Sequence, residues 1–117
     1  MYKMSLQTLN ALEELQRKKF CIVCLHDLKE DGFQANPKDS KQIDELIDIS
    51  RRIEAQGLAS ESLQFRYFML FYIMGSPFLH NKGIHNYLLN RNTEEERREY
   101  LEELIEVNLQ GQQKVKT

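Results

Sequence analysis

Apolar positions recur along this chain at helical rather than strand spacing almost throughout. From Ser5 to Asp31 they fall at Leu6, Leu9, Leu12, Leu15, Phe20, Val23 and Leu28, and Gly32 follows as a stop. The spacing predicts one long amphipathic helix over about 5–31 with these side chains on its buried face. Asn36-Pro37 marks a loop, because proline pushes its predecessor out of the helical region. A second helix is predicted over about 40–56. Asp39 can accept from its first-turn amides while Gln42 reaches back, as in a capping box, and Ile43, Leu46, Ile47, Ser50, Ile53 and Ala55 supply its stripe before Gly57.

The third segment has a different pattern. Ser60 is the expected cap, and Leu63 to Met74 is then apolar nearly all the way round until Gly75-Ser76-Pro77 ends it, giving a helix over about 61–74. A helix without a polar face must be covered on two sides. At about 100° per residue, Leu63, Tyr67, Leu70, Phe71 and Met74 form one arc, assigned to the core. Phe65, Phe68, Met69 and Tyr72 form the other, aromatic-rich arc. That second arc is covered either by the chain's own helices, by a protein partner, or by a second copy in a homodimer. Ile84, Tyr87 and Leu88 after Gly83 predict a short helix over about 83–90. Thr93-Glu94-Glu95-Glu96 caps a last helix over about 94–109, with Tyr100, Leu101, Leu104, Ile105 and Asn108 on one face. Residues 110–117 lack apolar periodicity and are expected to fray.

These elements predict an all-α, single-domain bundle of four to five helices, and 117 residues suit one core. Five Gly and two Pro leave few breaks between elements. The net charge of -2 gives no electrostatic footprint for nucleic acid or an anionic membrane. The basic clusters Arg17-Lys18-Lys19, Arg51-Arg52 and Arg97-Arg98 are interleaved with acids and read as solvated helix faces. The N-terminus shows no continuous apolar leader, so a cytoplasmic location is expected. The longest apolar run, Phe65 to Gly75, falls short of the roughly 20 residues needed to cross a bilayer.

Two places invite chemistry. Cys21-Ile22-Val23-Cys24 has C-x-x-C spacing, with His26 close behind. A structural zinc needs four converging ligands, yet His26 lies about 200° round the helix from Cys24 and no second pair exists. Redox use needs the first Cys at a helix N-terminus, whereas this pair is interior. The two cysteines therefore read as small buried hydrophobes. His80 and His85 flank Asn81-Lys82-Gly83 without a neighbouring Asp or Glu to orient an imidazole, so capping, loop hydrogen bonds or partner contacts account for them better than metal or general-base work. No enzyme, cofactor or metal is expected.

The stretch from Ile49 through Gly57-Leu58-Ala59-Ser60-Glu61, the aromatic helix, and Gly75-Ser76-Pro77-Phe78 resemble small helical proteins encoded in bacterial type VI secretion effector clusters, often beside effector-loading adaptor genes. The order of elements is similar over roughly residues 5 to 109. Relatives tend to carry an aspartate after the phenylalanine and a Pro-Trp pair soon after; Phe78-Leu79-His80 and Ile84-His85 stand here instead. The resemblance implies a non-enzymatic co-adaptor or chaperone that helps load a secretion effector, the partner being the adaptor or the toxin. An immunity protein that neutralises a toxin is the alternative. The candidate partner-binding residues are Phe65, Phe68, Met69, Tyr72, Phe78, His80, Ile84 and His85.

Overall fold

The computed structural model describes the backbone of residues 6–90 and 93–115, and side chains over 10–90 and 93–110. Leu6 and Leu9 of the expected first stripe therefore fall outside the described side chains, and Lys116 and Thr117 of the expected tail outside the described backbone. The fold is all-α. Six helices are described: α1 Leu6–Glu30, α2 Ser40–Ala55, α3 Glu61–Met74, α4 Ser76–Leu79, α5 Lys82–Leu89 and α6 Glu94–Val115. The chain divides into two compact units, Met1–Arg51 and Arg52–Thr117, with the boundary inside α2.

In the first unit α1 turns a different face inward from the one its leucines predict. Cys21, Cys24, Leu25 and Leu28 are buried, while Leu12, Leu15 and Val23 are 41%, 48% and 55% exposed. At about 100° per residue these two rows lie on opposite sides of the helix. The buried row continues N-terminally through Arg17 and Glu14 at the same three- and four-residue steps. Both reach α2: the Arg17 guanidinium donates to Ser50 Oγ at 2.8 Å, and Arg51 pairs with Glu14. Ile43, Leu46 and Ile49 of α2 are buried as well. The row that inserts is thus the one whose polar end finds partners; Leu28 of the expected stripe lies on it, while Leu12, Leu15 and Val23 face outward.

Both α1 and α2 end in Schellman motifs, which explains their glycine stops. Phe33 N donates to Leu28 O at 3.0 Å and Gly32 N to Lys29 O at 3.1 Å; Leu58 N donates to Ile53 O at 2.9 Å and Gly57 N to Glu54 O at 3.0 Å. Gly32 and Gly57 hold φ of 96° and 99°, where a Cβ is strained. The start of α2 departs from a capping box. Asp39 Oδ1 accepts from Lys41 N at 2.9 Å, but Gln42 Oε1 reaches past it to accept from Asn36 N at 2.8 Å, because Asp39 N is already bonded to Asn36 O. Gln42 thereby ties the preceding loop to the helix.

In the second unit α3 packs against α4 and α6, and α5 against α6. Ser60 caps α3 as predicted, accepting from Leu63 N, and Thr93 Oγ1 accepts from Glu96 N at 3.1 Å at the head of α6. Buried residues on α3 are Leu63, Gln64, Tyr67, Phe68 and Leu70: three belong to the arc assigned to the core, and Phe68 of the aromatic arc is covered by the chain itself. The buried amide of Gln64 donates to Leu58 O at 3.0 Å, satisfying a polar side chain inside the core. Arg66, the one charge in the aromatic segment, pairs with Glu102 of α6 at 2.7 Å. Leu101, on the predicted inner face of α6, has no exposed surface.

Three boundaries differ from the sequence expectation. Gly-Ser-Pro ends α3, yet the chain re-enters a single helical turn at once, because proline in a first turn lacks only an N–H that would have gone unused. That turn, α4, is why the helices number six rather than four to five. Asn81 Oδ1 accepts from Ile84 N at 3.0 Å and so starts α5 one residue before Gly83. Finally, α6 runs to Val115 instead of fraying after residue 109, since Gln and Lys are good helix formers and extend a helix without an apolar stripe.

Replacing Gly57 by Ala puts a Cβ into the left-handed position with only the far end of Arg97 nearby, so the cost is backbone strain alone. We expect a loss of about 1–2 kcal/mol in urea-unfolding free energy, with helix content unchanged by circular dichroism.

Candidate functional site

The second unit contains a cavity of about 390 Å³, within the range of small-molecule sites. Its inner wall is Tyr67 of α3, its rim the α4–α5 turn with His80, Asn81 and Lys82, and its far side His85 and Leu89 of α5. Arg52 and Gln56, one turn apart near the end of α2, with Leu79 of α4 and Asn86 of α5, complete it. Among its lining residues none is acidic.

Tyr67 organises the floor. Its ring is buried and lies 4.7 Å from that of Phe78, which has no exposed surface. Its hydroxyl meets His85 Nε2 at 2.6 Å, while His85 Nδ1 meets the Asn81 carbonyl, also at 2.6 Å. A carbonyl can only accept, so Nδ1 carries the proton; in the neutral imidazole Nε2 then accepts from the tyrosine O–H. Both ring nitrogens are thus committed within the unit. Burial pushes the Tyr67 hydroxyl up to about 12, and the positive charge of Arg52 acts against that rise. Arg52 therefore projects its field onto the cavity floor.

The remaining donors are unspent. Arg66 is paired with Glu102 and Arg97 donates to Gly57 O at 3.3 Å, but Arg52, Lys82 and the His80 imidazole have no side-chain partner among the described residues. Asn81 uses its Oδ1 as a cap and keeps its amide N–H groups.

The predicted site residues separate into groups. Phe78, His80 and His85 come together around Tyr67, whereas Phe65, Met69 and Tyr72 are half-buried on the opposite side of α3, and Ile84 is half-buried on α5. Phe68 and Phe78 have no exposed surface, so they are core residues and present nothing to a partner. The aromatic arc fails as a single surface because Phe68, at about 140° from Leu63, lies at its edge beside buried Gln64 at about 100° and is covered with it. Arg52, Gln56 and Lys82 were missed. Arg52 and Gln56 stand four apart, a same-face signal, but Arg51-Arg52 reads as one solvated cluster until Arg51 is seen to pair with Glu14 and Asp48.

Cys21 and Cys24 are both buried free thiols, and burial pushes the Cys21 thiol up to about 11, so little thiolate is present at neutral pH. His26 is exposed. Among the described residues no three His, Cys, Asp or Glu side chains converge on one point, and no helix is long and apolar enough to cross a membrane. No protein-family model matches the chain, and neither curated proteins nor solved structures gave a match.

The Tyr67 hydroxyl has an ordinary value of 10.0 when unfolded and is pushed up to about 12 by burial when folded. A raised folded value means that the neutral phenol stabilises the fold fully below the unfolded value, and this contribution is lost as pH rises through the folded one. Wild-type stability is expected to fall between pH 10 and about 12. Tyr67→Phe should lack that component and should cost about 1–2 kcal/mol at neutral pH, because His85 Nε2 loses its donor. Urea unfolding of both proteins at pH 8 and pH 11 measures each effect.

Proposed function

We propose that this protein is a non-enzymatic protein-binding module, a co-adaptor or chaperone that helps load a type VI secretion effector. The observation that supports a binding role is the outward face of α1. Leu12, Leu15 and Val23 share one side of the helix and are 41% to 55% exposed, opposite a row that is already buried. Lys19 and His26 share that side, so the exposed set is three apolar residues among polar ones, the mixed composition of a protein-binding surface. Half-buried Phe65, Met69 and Tyr72 on α3 offer a second, smaller set of aromatic and sulfur contacts. The secretion role comes from the resemblance in element order, whose partner is the effector-loading adaptor or the effector.

Because the α1 row is exposed, charging it leaves the core intact. The triple change Leu12→Glu, Leu15→Glu and Val23→Glu is expected to preserve the unfolding midpoint to within a few degrees. It should abolish co-purification with an effector-loading adaptor and effector co-expressed with it, and deletion of the gene should stop effector secretion while leaving the cell resistant to its own toxin. Self-intoxication of the deletion strain would instead establish an immunity protein. Phe68→Asp is unsuitable as an interface test, since a carboxylate at that fully buried position unfolds the unit.

A further inference from the structure

The cavity beside Tyr67 has features that protein–protein docking does not require. The chain as a whole is slightly acidic, with eighteen carboxylate side chains against sixteen cations, yet this 390 Å³ space is lined by two cations and no acid. Elsewhere in the same unit Arg66 and Arg97 find carboxylate or carbonyl acceptors, while Arg52 and Lys82 have none among the described residues. They stand on separate elements, α2 and α5, so the cavity is flanked by positive charge from two elements. The two cations differ in a useful way: the Arg52 fork suits two oxygens of one planar or tetrahedral anion, and the Lys82 ammonium adds a point charge. His80 and the Asn81 amide supply further donors at the rim. By contrast His85 is locked between Asn81 and Tyr67, so it shapes the floor and does not donate to a guest.

The volume and the walls define the rest of the guest. A bare inorganic ion fills a small part of 390 Å³, and the Tyr67 ring, Leu79 and Leu89 add apolar surface beside the donors. We propose that this cavity binds a small organic anion, a carboxylate or phosphate group carried on a short apolar body. The anionic head sits between Arg52 and Lys82, and the body lies against Leu79, Leu89 and the edge of Tyr67. This site does not depend on the partner proposed above.

The test is a titration of the full-length, isotopically labelled protein by NMR at about 150 mM salt, the ionic strength at which exposed charges are screened beyond about 8 Å. Phenylacetate and phenyl phosphate are the probes, with benzyl alcohol as the neutral control. Saturable shifts at His80, Asn81, Lys82 and Leu89, with a Kd on the order of 1 mM or tighter, are expected for at least one anion. The tighter of the two assigns the head group. Arg52→Gln with Lys82→Gln should weaken binding about tenfold or more, and these exposed changes leave the amide spectrum otherwise unchanged. Equal binding of benzyl alcohol, shifts that persist in the double variant, or no saturation with either anion would overturn the proposal.

Discussion

The hydrogen bond from Tyr67 to His85 is the constraint on which the second unit turns. Burying a tyrosine ring is favourable, but its hydroxyl must find a partner in the interior or forfeit part of that gain. Here the partner lies eighteen residues on, at the middle of α5, 2.6 Å away. His85 can serve only with its proton on Nδ1, and Asn81 O fixes that proton one helical turn earlier. One polar tip on α3 therefore determines where α5 begins, how it is rotated and which way its imidazole faces. Phe78 on the single turn of α4 fills the gap under both rings, 4.7 Å from Tyr67 and 5.6 Å from His85. The abrupt turns at Gly75 and Asn81 make sense as the shortest path that delivers both side chains to the same tyrosine.

Much of this was legible in the residues. Ser60, Thr93, Gly32, Gly57 and Gly75 act where cap and stop chemistry places them, because those roles depend on local hydrogen bonds that the sequence specifies within a few positions. The inner face of α6 was equally readable, since its other face is too charged to bury. What could not be read was rotation. Both α1 and α3 carry apolar residues on more than one side; on α3 the arc assigned to the core is buried at Leu63, Tyr67 and Leu70, while on α1 periodicity alone did not rank the sides. On α1 the ranking came from Arg17 and Glu14, whose partners Ser50 and Arg51 are more than thirty residues away.

The cavity is likewise assembled from residues distant in the chain. Its donors come from the end of α2 and the start of α5, and each looked like ordinary surface charge in its own segment. Arg51 and Arg52 are adjacent and chemically identical, yet a 100° rotation separates an arginine paired with Glu14 from one that overlooks Tyr67. The sequence signal for a site was present only in the negative: Lys82 and the two histidines have no acid nearby to neutralise them.

The question raised by the aromatic helix, what covers its second side, finds a different address in the folded chain. Most of α3 is accounted for by Phe78, Gln64 with Leu58, and the Arg66–Glu102 pair to α6. The helix left with an apolar face outward is α1, where leucines rather than aromatics are exposed. Isolated surface leucines need no explanation, since much of any protein surface is apolar. Three on one side of a helix, interrupted by Lys19 and His26 but opposite a face already buried, are a denser set than scattered leucines. The cheaper arrangement for a self-sufficient protein would place glutamate or lysine at Leu12, Leu15 and Val23, as α6 does along its outer face with Glu95, Glu99 and Glu106.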